Sequence, residues 1–289
     1  MLGILFVLLA SLAWGIAPLF TRKGLQHVSP RAGSFIAVGT AFLLSTVVGL
    51  AFHWREMLSL SLLAVGWFAL TGIVSNGLAN YFYYRGIHLV GASRASPVAA
   101  STPLLALPLA ALFLGEVITI PAAAGAVCVV FGLYLITGGE APGVKSKKRG
   151  YIFALLAALC WSAANLLIRR GVTTLAPPLA SAPISLFFAT LILVPPPETL
   201  STLPKAGRKL WFIAVAGLCS GSGTLLFYSA MSLAPVVIVS PLGNLGPLVT
   251  LLGSHLFLRR LEKVTPRLVF GAMMVLAGAA TVTIGRALG

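Results

Sequence analysis

Asn76 and Asn80 stand four residues apart in the stretch GIVSNGLANYFYYRG (72–86), inside an otherwise apolar run. That spacing sets both amides on one helical face, where they can donate to and accept from a small polar solute. Asn165 and Asn244 are the other two amides of this kind, each again within an apolar run. Hydroxyls gather near them: Ser96, Ser101 and Thr102 in one run, Ser240 beside Asn244, and Ser220, Ser222, Thr224 and Tyr228 in CSGSGTLLFYS (219–229), with Tyr84 as an earlier counterpart of Tyr228. Trp14 and Trp161 lie well inside their runs, deep enough to wall a cavity. Such groups recognise a solute by hydrogen bonds and aromatic faces. They break no covalent bond by themselves.

The remaining polar residues narrow the chemistry further. The chain has five acids, all Glu, at positions 56, 116, 140, 198 and 262, and each falls at the end of an apolar run or between two of them. Hydrolases and transferases need paired carboxylates, a metal cluster or an activated nucleophile. No such spacing occurs, so an enzyme is not expected, and neither a metal nor a cofactor is implied. Cys128, Cys160 and Cys219 sit singly in apolar runs and read as small buried hydrophobes. With no carboxylate in mid-run there is no counter-charge for a cationic solute. A neutral or zwitterionic small molecule is the expected substrate, the alternative being an anion met by Arg85 and by loosened helix ends. Glu116 reads as a helix-end partner.

Four prolines give those helix ends. Pro97 and Pro103 fall in one apolar run, Pro241 and Pro247 in another. Proline removes a helical hydrogen bond and clashes with the carbonyl four residues earlier, which frees the carbonyls of Ser93, Ala99, Val237 and Gly243. In a low-dielectric surround such backbone is tolerated only against protein or a wet cavity. The neighbouring hydroxyls either bond a solute there or repair the kink.

Composition says what surrounds these elements. Of 289 residues, 58% are hydrophobic and 9% charged, and mean hydropathy is +1.02, whereas a soluble domain has about a quarter of its residues charged. The net charge of +15, from 20 Lys and Arg against the five acids, would suggest nucleic acid in a soluble protein. Here the basic residues mark the ends of apolar runs and form no basic helix face, so the lipid bilayer is the expected partner and nucleic acid is not. Runs long enough to cross a bilayer core, about 20 residues each, lie at 2–21, 32–52, 62–84, 92–114, 119–138, 150–168, 178–196, 210–231, 235–257 and 267–286. The first lacks the basic start and cleavage pattern of a removed signal peptide and counts as a helix. Trp54, Trp67 and Trp211, near run ends, are expected to be interface anchors.

The runs repeat. SLAWGIAPLFTRKG (11–24) returns as ALCWSAANLLIRRG (158–171), an offset of 147 from Trp14 to Trp161. Tyr84 matches Tyr228, Ser96-Pro97 matches Ser240-Pro241 and Pro103 matches Pro247, all at 144. GAVCVVFG (125–132) matches GAMMVLAG (271–278) at 146, and its glycines read as packing seams. Matched Pro and Gly record backbone geometry. The division is a first five-helix repeat at 1–140, a basic linker at 141–149 and a second repeat at 150–289. An odd number of helices per repeat turns the second upside down, the arrangement of many secondary transporters, with the substrate site between the halves near the bilayer midplane.

Trp14 and Trp161 followed by basic residues, the Tyr84/Tyr228 pair, the proline-bearing fourth and ninth runs and LFLGE (112–116) together resemble the drug/metabolite transporter superfamily, in its ten-helix EamA-type branch. The likeness covers essentially the whole chain; the second half departs at LFLRRLE (256–262), with two more residues before its Glu. The resemblance implies an all-α integral membrane protein of ten transmembrane helices in two inverted repeats. It also implies export or exchange of small metabolites, amino acids first among them, with sugar phosphates, nucleotide sugars or lipid-linked sugars as the anionic alternative.

Threading ten spans places 16 of the 20 Lys and Arg on one face, leaving Arg55, Arg169, Arg170 and Arg286 on the other. The positive-inside rule then puts both termini outside the cytoplasmic membrane, whereas relatives are often drawn with both inside. Monomer and homodimer stay equally open at this stage.

Overall fold

Ser29 begins the second helix: its hydroxyl accepts from the Ala32 amide and Pro30 takes the first helical position. Ser61 caps the third in the same way, through Ala64. These caps and the prolines punctuate described residues that are otherwise almost all helix. The computed structural model describes residues 2–105, 119–137, 147–200, 207–234, 239, 242–258, 261 and 264–287. Its main helices are α1 (Leu2–Gly24), α2 (Pro30–Leu58), α3 (Leu62–Gly72), α4 (Ala79–Val90), α5 (Ala92–Ala99), α6 (Ile120–Thr137), α7 (Lys147–Thr174), α8 (Pro178–Leu193), α9 (Trp211–Leu233), α10 (Gly246–Phe257) and α11 (Pro266–Ala287). A π-helical turn, Ile73–Leu78, joins α3 to α4 without a break. Gly91, at φ 89°, lets the chain turn from α4 into α5, a backbone angle that side chains disfavour.

Among the described residues, five helical stretches are long and apolar enough to cross a bilayer alone: α1, α2, Leu62–Val90, Lys148–Thr174 and α9. The others contribute shorter apolar helices. The polarity runs inside out. On α2, Leu43, Val47 and Phe52 are exposed by 64%, 66% and 73%, while Ser34 and Ser45 are fully buried. Water would penalise that arrangement, and lipid favours it.

The two repeats are inverted. Arg22, at the end of α1, donates to the carbonyls of Ile87 (3.0 Å) and His88 (2.9 Å) at the end of α4, and Gly150, at the start of α7, packs on Leu89 and Val90 of the same helix end. The last turn of α1 thus lies beside the first turn of α7. At the opposite end Arg169, late in α7, donates to the Met231 carbonyl of α9, and Gly3 of α1 faces Leu233 and Ala234 just beyond it. So α1 and α7 point in opposite directions. Equivalent pairs recur throughout: α1 packs on α9 as α7 packs on α4, and α1 meets α10 as α7 meets α5. Helices α6 and α11 cross closely, since a β-carbon on Gly125 would stand 2.7 Å from the Gly278 carbonyl oxygen and one on Gly132 2.6 Å from that of Gly271. The glycine seams face each other.

Inversion also sorts the charges. With Arg22 and Lys23 at one end lie the starts of α7 (Lys148, Arg149) and of α9, whose Ile213 packs on Gly24. The start of α11 joins them: Arg267 donates to Leu135 (3.1 Å) at the end of α6, and Tyr151 of α7 reaches the adjoining Ile136 carbonyl. Arg169 and Arg170 lie at the other end. Trp54 and Trp211 are half-exposed near helix ends, in interface positions. Trp67 differs from its expected role. Its indole donates to the Leu167 carbonyl (2.9 Å) and its ring packs near Gly171, so it ties α3 to α7 rather than anchoring at the lipid surface.

Candidate functional site

A cavity of about 190 Å³ opens where the repeats meet, walled by α1, α2, α4, α5, α7, α8, α9, α10 and the π turn. It exceeds the cavity of about 150 Å³ that accommodates benzene in an engineered core. A space of that size admits a small molecule.

The proline breaks create its middle. Helix α5 ends at Ala99, and a turn through Ala100 and Ser101 precedes helical residues 102–105. In the second repeat a turn at Asn244 and Leu245 precedes α10, with Pro247 in its first turn. The carbonyl of Gly243, freed by Pro247, and that of Leu242 accept from the Ser11 hydroxyl at 3.1 and 2.8 Å, and the Ala99 carbonyl accepts from Thr102 at 2.9 Å. Ala100 and Asn244, repeat equivalents, both line the cavity. Helices α5 and α10 touch there, so the ruptured segments of the two repeats share one space.

Two aromatic brackets close it, one from each repeat. Trp14 donates its indole N–H to the Ser220 carbonyl (3.3 Å) and its ring lies 4.9 Å from Phe227. Trp161 donates to the Ser75 carbonyl (3.0 Å), with Tyr83 edge-on at 5.2 Å. Phe227 and Tyr83 are 144 apart, whereas Ser220 and Ser75 are 145 apart. The π turn, which inserts one residue between Ser75 and Tyr83, accounts for that step. Within it Ser75 donates to Thr71 (2.7 Å), Asn76 to the Ser75 hydroxyl (3.0 Å) and Asn80 to the Asn76 carbonyl (3.1 Å).

Most of the residues singled out in the sequence converge here. Trp14, Asn76, Asn80, Tyr84, Ser96, Thr102, Trp161, Asn165, Ser220, Thr224, Tyr228, Asn244 and Pro247 all line the cavity. Ser101 does not: it is fully buried, and its hydroxyl donates back to Val98 at 2.7 Å, repairing the kink. Pro97 and Pro103 are buried behind the wall and shape it without facing it. Ser240 and Pro241 lie outside the described residues. Thr21, Ser75, Tyr83, Phe227 and Thr250 also line the space. Tyr83 and Phe227 were legible as repeat partners next to Tyr84 and Tyr228. For Thr250, whose hydroxyl donates to Gly15 (2.8 Å), no sequence signal existed.

No lining residue carries a charge among the described residues. The profile of the EamA-like transporter family matches residues 1–138 and again 148–284. The chain belongs to the EamA-like transporter family. Its similarity to a protein of Archaeoglobus fulgidus, described as an uncharacterized transporter, runs at 25% identity over 280 residues, 96% of each chain. An uncharacterized protein of Pseudomonas aeruginosa is 31% identical over 134 residues, 46% of this chain and 45% of its own. A crystal structure 20% identical in sequence superposes with a TM-score of 0.65 over 99% of this chain and 98% of that one, which establishes the shared fold. This EamA-like transporter is therefore a multi-pass membrane protein. Its cavity can hold a solute by amide and hydroxyl hydrogen bonds between aromatic faces. The chemistry available is recognition.

Arg85 takes no part in that recognition. It is exposed, its guanidinium stacked over Tyr81 at 5.4 Å and Phe153 at 4.9 Å. An anion in the cavity would not meet it.

Proposed function

We propose that this EamA-like transporter exports or exchanges small neutral or zwitterionic metabolites, amino acids first among them, by alternating access around the central cavity. One observation carries the reading: a chamber without charged lining, set between ruptured helices of two inverted repeats. A cationic solute lacks a counter-ion there, and the anionic alternative loses its support with Arg85 turned outward. The same inversion supports a division into a first repeat at 1–140 and a second at 150–289, joined by 141–149, with the solute between the two repeats.

Transport by purified protein in proteoliposomes, assayed with a panel of amino acids, tests the proposal. Asn80→Ala and Asn244→Leu each remove an amide from the cavity wall, and a lost hydrogen bond of about 1.5 kcal/mol lowers kcat/KM about tenfold. Wild-type rates from both variants would take the amides out of the site, and a panel without any saturable uptake would overturn the cargo.

The charge sorting supports a cytoplasmic-membrane location with both termini outside, because Arg22, Lys23, Lys148, Arg149 and Arg267 gather at one end of the bundle. A reporter enzyme fused to the C-terminus should be active only when it needs the outside. Cytoplasmic activity would reverse the orientation.

A further inference from the structure

A second hollow, of about 510 Å³, lies at the basic end of the bundle between the last turn of α1, the first turn of α9 and the end of α10. Its wall divides sharply by polarity. Lys23, Gln26 and His27 form one rim, and Phe212, Leu256, Phe257, Leu258 and Leu261 the remainder. Leu256 and Phe257 are exposed by 52% and 69%, so the apolar part faces outward.

The polar rim is chemically unspent. Lys23 holds its ammonium 5.7 Å above the Phe212 ring, and neither it nor Gln26 nor His27 makes a side-chain hydrogen bond or ion pair among the described residues. The depth of this rim in the bilayer is set by its neighbours. Trp211, half-exposed, lies tilted against Phe212 at 4.3 Å and edge-on to Phe20 at 5.9 Å, the kind of aromatic cluster that settles at headgroup level. The electrostatics are net positive, because this end also gathers Arg22, Lys148 and Arg149, and around Leu261 the sequence runs Arg-Arg-Leu-Glu-Lys, three cations to one acid. A cation and two further donors at headgroup depth, above a groove of aliphatic and aromatic side chains, match the two ends of one molecule.

We propose that this hollow is a binding site for an anionic phospholipid, its phosphate held by Lys23, Gln26 and His27 and one acyl chain lying along Leu256, Phe257 and Leu261. The apolar wall selects the lipid over a free anion: inorganic phosphate would satisfy the rim and leave the groove empty. Basic pockets between helix ends at this depth hold anionic headgroups in other membrane proteins. The site lies outside the transport cavity and is independent of what is transported. Its position ties α1, α9 and α10 together beside Gly24, where α1 has no side chain and Ile213 fills the gap.

The test uses the full-length protein, delipidated in detergent. Native mass spectrometry and thermal unfolding are followed while phosphatidylglycerol, phosphatidylcholine or inorganic phosphate is added. Phosphatidylglycerol should give a one-to-one adduct and a raised unfolding temperature, phosphatidylcholine should bind about fivefold more weakly because its choline cation meets the same basic rim, and phosphate alone should do neither. Lys23→Gln with His27→Gln should abolish the preference between the two lipids without lowering the unfolding temperature of the lipid-free protein. Phe257→Ser leaves the rim intact and should weaken both lipids. Equal adducts of phosphatidylglycerol on the Lys23/His27 variant would place the lipid elsewhere on the basic face, and stabilisation by phosphate alone would make the site one for a soluble anion; either result overturns the proposal.

Discussion

Arg22→Gln should make the cavity accessible from the end of the bundle that holds the last turn of α1, and Arg169→Gln from the opposite end. Each arginine is the repeat counterpart of the other, 147 residues apart, and each reaches the last carbonyls of a helix in its own repeat: Arg22 those of Ile87 and His88, Arg169 that of Met231. Ile87 and Met231 are themselves 144 apart. The chemistry suits a latch. The final carbonyls of a helix lack intrahelical donors and carry the negative end of its dipole, so a guanidinium gains a charge-assisted bond there without a carboxylate partner. Such a bond contributes about 1.5–3 kcal/mol, enough to shift a two-state equilibrium tenfold or more. This is also why the sequence writes a basic pair after each Trp-bearing helix: the same staple is needed once at each membrane face.

The measurement is sided. With Cys128, Cys160 and Cys219 replaced by Ala, a single cysteine at Thr224 on the cavity wall is labelled by a membrane-impermeant thiol reagent in vesicles of known orientation. Arg22→Gln should raise the labelling rate about tenfold from its own side and lower it from the other, and Arg169→Gln should do the reverse. Equal gains from both sides, or none, would reduce the two arginines to static staples.

The inversion was legible because proline, glycine and tryptophan record geometry. Trp14 and Trp161 could be paired before any coordinates, and so could the breaks near Pro103 and Pro247. Which way a polar side chain turns was not legible. Ser101 and Thr102 are adjacent hydroxyls in one kink; both bond back to the preceding turn, yet only Thr102 also borders the cavity. Trp67 shows the same limit, since a Trp near a run end reads as an anchor until Leu167 is seen within reach of its indole. The π turn had left a trace: the offset between repeats steps from 147 at Trp14 to 144 at Tyr84. A change in offset does not reveal whether a loop or a helix absorbed it. Here one residue of the difference lies inside the helix, at the amides.

That placement makes the two tryptophans unequal, and Trp161→Phe should be the more damaging substitution. Each Phe variant keeps an aromatic ring and removes the indole N–H. Behind Trp14, the Ser220 carbonyl still accepts from the Thr224 hydroxyl at 2.9 Å. Behind Trp161, among the described side chains, nothing else reaches the Ser75 carbonyl, and Ser75 in turn fixes Asn76, whose carbonyl holds the Asn80 amide. The lost bond therefore leaves that carbonyl without a side-chain donor, at a cost of about 0.5–1.5 kcal/mol, in the π-turned stretch that carries the amides. KM for the transported solute should rise about tenfold in Trp161→Phe and less than about threefold in Trp14→Phe, with both proteins eluting as folded material. Should the two variants transport alike, the π turn does not position the amides, and the repeats act on the solute as equals.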